Sequence, residues 1–134
     1  MAKPKIFVCE FITAGGFSAD DLPQSLLNEG LMMRDALLKD IAILNEYHII
    51  SCHDYRIQAL EQMLKSVPVS AGNFDQVFDE LLLEADMVWL IAPETDGILL
   101  NLCQRCHEKN VLQIGCGLET IKIGSYKTCT AEAL

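Results

Sequence analysis

Residues 86–97 read DMVWLIAPETDG: an unbroken apolar run from Met87 to Ala92 that stops at Pro93 and passes into turn-forming residues. A strand on a half-covered sheet alternates apolar and polar residues, whereas a continuous apolar run is expected of a strand covered on both sides in a parallel sheet. The flanks agree. Before the run, Phe74, Val77, Phe78, Leu81 and Leu82 share one helical face in a helix predicted over Phe74–Ala85. After it, Thr95 or Asp96 can cap a helix from about Gly97 to Glu108.

Working outward, Val111–Gly115 reads as a last strand, with a helix predicted over Leu118–Ile123. Toward the N-terminus, Lys5–Phe11 is a β-rich run followed by the glycine turn of residues 12–17. Apolar residues then recur at helical spacing from Leu26 to Leu44, behind Pro23 in a first turn. Tyr47–Cys52 is a strand ending in His53 and Asp54; residues 57–64 are predicted as a short helix and residues 66–70 as an extended piece. Strands and helices in alternation make an α/β fold: an open, mostly parallel, Rossmann-like sheet with helices on both faces.

The chain has 134 residues, the size of one domain, and about half of them are hydrophobic. Ten basic residues stand against nineteen acidic ones, a net charge of −9, with no Lys or Arg cluster to track phosphates, so no nucleic-acid partner is expected. The apolar runs fall well below the roughly 18 residues of a spanning helix, and the first residues enter a strand without a cleavage pattern. The expectation is a cytoplasmic protein with no membrane partner. Cysteines at 9, 52, 103, 106, 116 and 129 lie mostly among Ile, Val and Leu and are read as buried, reduced thiols. Cys103, Cys106 and His107 have the letter pattern of haem attachment, but a helical spacing of three puts both thiols toward the apolar face. A zinc site would need more ligands than His107 and Cys116 supply, and no metal ligand is assigned.

Open parallel sheets bind ligands beyond the carboxyl ends of their strands, near the point where strand order reverses. That selects residues 10–16, 53–55, 92–97 and 115–117. Glu10 and Glu94 both fall there, and a carboxylate pair in one crevice suits an ammonium group; either also suits a helix N-terminus. Gly15 and Gly16 make either a phosphate-approaching loop or a tight turn, without the spacing of a dinucleotide fingerprint.

Residues 7–16 (FVCEFITAGG), 22–30 (LPQSLLNEG) and 91–97 (IAPETDG), in that order, resemble the N-terminal part of the ATP-grasp carboxylate–amine ligases. The likeness is to the branch that includes the tyramine–glutamate ligases of methanofuran biosynthesis. Residues 114–121 and 125–128 are similar to the segment leading into the ATP-binding domains of these enzymes. The resemblance implies one Rossmann-like pre-ATP-grasp domain over residues 1–134, with the ATP-binding domains absent from this chain. It implies ATP-dependent amide formation on a small amine or carboxylate substrate, with ATP and Mg²⁺ as cofactors of the full-length family enzyme and none for this chain alone. Glu10, Thr13, Gly15 and Gly16 would shape the substrate end, Glu94 and Thr95 the facing wall, and Lys127 would approach the ATP phosphates; no catalytic residue is assigned. Two departures stand out: Tyr126 replaces an acidic residue, and Ala14 a frequent glycine. The implied partners are ATP-grasp domains in cis or in trans. A different class of function is a stand-alone, non-catalytic binding module or dimeric assembly module of the same fold, with the homodimer as its partner. A third is a thiol or metal protein built on Cys103 and Cys106.

Overall fold

The computed structural model describes residues 3–59, 65–93 and 97–114. In chain order the elements are β1 (Lys5–Glu10), α1 (Gln24–Leu44), β2 (His48–Asp54), β3 (Lys65–Val69), α2 (Phe74–Glu84), β4 (Met87–Ile91), α3 (Ile98–Glu108) and β5 (Leu112–Gln113). The strands form one five-stranded sheet in the order β3-β2-β1-β4-β5, and all four pairings are parallel. This is the open α/β sheet the sequence predicts. The chain leaves β1 toward β2 and β3 on one side and continues from β4 to β5 on the other, so the switch point lies between β1 and β4.

Alternation along β1 divides the core. Phe7 and Cys9 face α2 and α3, in a cluster with Phe74, Val77, Phe78, Leu81 and Leu82 of α2 and Leu99, Leu102, Cys103 and Cys106 of α3. Ile6 and Val8 face α1 and meet Leu38, Ile41 and Ile49. The α2–α3 side is much the thicker layer. All five phenylalanines of the chain lie in it as one row of edge-on and tilted rings, Phe7–Phe78–Phe74–Phe11–Phe17, with centroids 5.4–5.6 Å apart.

Several sequence expectations need correction. β4 is covered fully on one side only: Val88 and Leu90 are buried, while Met87 and Trp89 are half-buried against the thin α1 layer. The extended piece at residues 66–70 is the edge strand β3, where Pro68 is tolerated because no further strand needs its missing N–H. Residues 57–59 are not helical, and the rest of the helix predicted over 57–64 lies outside the described residues. Gly97, with φ 69°, takes the N-cap position of α3, and the expected caps Thr95 and Asp96 lie outside the described residues. The helix predicted over 118–123 lies outside the described residues. Pro23 sits one place earlier than expected, as the N-cap of α1.

The inner stripe of α1 is Gly30, Arg34, Leu38 and Ile41. Glycine inside a helix costs about 1 kcal/mol against alanine. Its place here is explained by β1: a Cβ at Gly30 would overlap the carboxylate of Glu10. Gly30→Ala is therefore expected to lower stability, its helix gain outweighed by the overlap, with a net loss of about 1–2 kcal/mol in urea unfolding. A gain in stability would show that Glu10 does not lie beneath the helix.

Candidate functional site

β1 ends at Glu10, and the chain then turns sharply through residues 11–16. The Glu10 carboxylate is buried and folds back on that turn, accepting from the N–H groups of Ile12 (3.2 Å) and Thr13 (2.8 Å). Thr13 Oγ1 donates in return to the Glu10 carbonyl at 3.2 Å, and the Thr13 carbonyl accepts from Asp54 N–H at 2.7 Å, tying the turn to β2. Gly15, with φ 104°, passes against Val69 at the end of β3, and Gly16 lies against the Phe11 ring. These four residues therefore build one tight, buried corner at the carboxyl ends of β1, β2 and β3. Glu94, Thr95 and Lys127 lie outside the described residues.

Burial raises the pKa of Glu10, against the lowering effect of the two N–H donors, the Thr13 hydroxyl and the nearby Arg34 guanidinium. A carboxyl raised by folding contributes stability below its ordinary pKa and loses it as pH climbs through the folded value. Glu10→Gln removes this one titration. The stability of the variant relative to the unsubstituted chain is therefore expected to rise between pH 4.5 and 7. Urea unfolding across that range checks it, and a relative stability that falls with pH would refute the burial argument.

The next stretch, residues 17–21, is held by Arg56. Its guanidinium donates to the carbonyls of Phe17 and Asp20, each at 2.9 Å, and to both carboxylate oxygens of Asp54. Burial alone would raise the Asp54 pKa, but the hydrogen bonds from Arg56 prevail and hold it below the ordinary value. Arg56 thus acts as a strap between β2 and the corner. The sequence contains no signal for the strap, because the carbonyls of Phe17 and Asp20 that it ties to Asp54 lie more than thirty positions away.

Between this corner and the starts of α2 and α3 lies a cavity of about 400 Å³ on the α2–α3 side of the sheet. Gly16 and Ser18 form one wall, Gly72 and Asp75 another, and Gly97, Asn101 and Arg105 a third; Phe11 and Phe74 supply apolar surface. Among the described residues no side chain caps α2, while in the first turn of α3 the Leu99 N–H donates to the Pro93 carbonyl at 3.1 Å. Arg105 stacks over Phe78 at 4.6 Å and is held by Asp75 (2.8 Å) and Asp79 (2.7 Å). The cavity therefore sits at the switch point between β1 and β4, as the general rule for such sheets places it. Of the predicted site residues, Gly16 lines it directly, while Glu10, Thr13 and Gly15 shape the turn behind it.

Cys103 and Cys106 are buried on the inner side of α3, and burial pushes the Cys106 thiol up to about 12. At neutral pH Cys106 is therefore a thiol inside the core. No group of three or more His, Cys, Asp or Glu arranged for a metal ion occurs among the described residues. No helix among them is long and apolar enough to cross a membrane.

Comparison with known proteins agrees with this architecture. Residues 47–121 match the family described as the pre ATP-grasp 3 domain. Over 133 residues the chain is 29% identical to the tyramine–L-glutamate ligase of Methanocaldococcus jannaschii, an alignment that takes in 96% of this chain and 42% of that protein. The chain thus spans less than half the length of this relative. No solved structure matches. With more than half of its residues in the match, and a parallel sheet with its cavity at the switch point, the chain belongs to the pre-ATP-grasp 3 domain family.

Proposed function

We propose that this chain is the substrate-side domain of an ATP-dependent carboxylate–amine ligase. The observation that carries the reading is the cavity at the β1–β4 switch point, walled by the glycine turn and by the starts of α2 and α3, in a chain of this family. The name of the relative, a tyramine–L-glutamate ligase, supports an amine and an amino acid as the substrate classes. In such a reaction ATP converts the acid to an acyl phosphate, and the amine displaces the phosphate. This chain would bind and orient one substrate and keep water from it. In this reading ATP and Mg²⁺ belong to ATP-grasp domains in cis or in trans, and the chain alone forms no amide. Glu94 and Thr95 remain the proposed facing wall and Lys127 the proposed contact to phosphate. A role in methanofuran-type one-carbon cofactor synthesis, in the cytoplasm, completes the reading.

The test is to supply the full gene product with ATP, Mg²⁺, L-glutamate and tyramine and to follow ADP and amide together. Amine-dependent ADP release with amide formation is expected, and no tight ATP binding by the 134-residue chain alone. Absence of amide across a panel of amines and amino acids would overturn the reading.

A second reading, a non-catalytic module that dimerises, is favoured by the outer side of α1, where Met32 is 73% and Ile43 71% exposed, with Leu44 beside them. A second copy covering these side chains would make a stable dimer in sedimentation at micromolar concentration. A strict monomer removes this reading and leaves the first untouched.

A further inference from the structure

The inner stripe of α1 carries one charged side chain. Arg34 is 3% exposed. Its Nε donates to Asp35 Oδ1 at 3.1 Å, but Nη1 is buried and meets no acceptor among the described residues. A guanidinium cannot shed its proton, and a buried donor without an acceptor is costly enough that native structures rarely keep one. An unmatched N–H of this kind points to a group that completes it.

Its surroundings define that group. Helical side chains lean toward the N-terminus of their own helix, for Arg34 toward Gly30, and Gly30 lies against the Glu10 carboxylate. The guanidinium acts on both Glu10 and His53. His53 is buried, with Nδ1 2.7 Å from Ser66 Oγ; burial first, and then Arg34, lower its pKa, so the imidazole is neutral at pH 7. The Asp35 side chain is 53% exposed and its charge is screened by water. The buried Asp54, which also acts on His53, is already paired with Arg56; the groups left beside Arg34 are its own guanidinium and the Glu10 carboxyl, so an added anion is matched when Glu10 carries a proton.

An incoming phosphate carries more negative charge at neutral pH than one proton on Glu10 offsets. A carboxylate brings a single charge, which a proton on Glu10 offsets, and its two oxygens match the donor edge of a guanidinium.

We propose that Arg34 Nη1 binds the carboxylate of a small organic acid at the carboxyl ends of β1 and β2, beneath α1, with Glu10 and His53 as neighbours. This site lies on the opposite side of the sheet from the switch-point cavity, and it goes beyond the ligase reading without depending on it. The test is a nuclear magnetic resonance titration of the isotopically labelled 134-residue chain at constant ionic strength, following the Arg34 Nε–H and His53 ring signals. The probes are sodium acetate, L-glutamate and inorganic phosphate. Saturable shifts are expected with acetate or L-glutamate, with affinity at least tenfold weaker in Arg34→Lys, which keeps the charge and loses the two-donor edge. Leu83→Ala, at an exposed position of α2 on the other side of the sheet, is expected to bind as the unsubstituted chain does. No saturable shift with either carboxylate, undiminished affinity in Arg34→Lys, or tighter binding of phosphate would overturn the proposal. The titration of the unsubstituted chain decides the matter even where the lysine variant fails to fold. Failure of the ligase reading appears separately, as absent amide formation with the acetate shifts intact.

Discussion

Phe78→Ala is expected to cost about 3–5 kcal/mol of folding stability, the largest effect of any substitution considered. Phe78 is fully buried at the middle of the phenylalanine row, 5.5 Å from Phe7 on the sheet and 5.6 Å from Phe74 at the start of α2. Removing its ring takes away transfer free energy and leaves a cavity that the surrounding helix and strand fill only in part. A second consequence reaches the candidate site. Arg105 rests on the Phe78 ring and Phe74 packs against it, and both line the switch-point cavity. Denaturant unfolding measures the stability loss; a cost under 1 kcal/mol would mean that the α2 layer is not packed as described.

Gly15→Ala is the second, expected to cost about 2–5 kcal/mol, from backbone strain and overlap acting together. The φ of 104° lies where residues with a side chain rarely go, and the new Cβ would stand 2.6 Å from Cβ and Cγ1 of Val69. Neither neighbour is the free end of a long side chain; Val69 is a buried residue in β3, branched at Cβ. The corner of residues 11–16 must open to admit the methyl group, and that disturbs the hydrogen bond from Asp54 N–H to the Thr13 carbonyl. Thermal unfolding followed by circular dichroism checks the magnitude. A variant as stable as the parent chain would rule out the close approach to β3.

Local regularities carried most of the architecture. The apolar stripe of α2, the run in β4 and the glycine turn after β1 each report a backbone state that depends on neighbours a few residues away, and the structure has them where periodicity predicts. Residues 57–59 are not helical: a few apolar residues at helical spacing carry little information. The position of Glu10 at the end of β1 was legible in the same way, but its surroundings were not.

By itself, then, the sequence determined the α/β class, the elements and the strand ends where a site belongs, since these follow from alternation and helical spacing along one segment. Tertiary structure alone decided which side of the sheet each strand-end residue faces, and against what. Parallel pairing places β1 beside β2 across about forty residues of chain, and α1 then sets Gly30 and Arg34 over Glu10. Gly30 looks in sequence like a flaw in a helix, and Arg34 like one more surface charge. Only the packing of α1 onto the sheet makes the first a space for a carboxylate and the second a buried cation with a donor to fill, because burial belongs to the assembled layers and not to any segment of the chain.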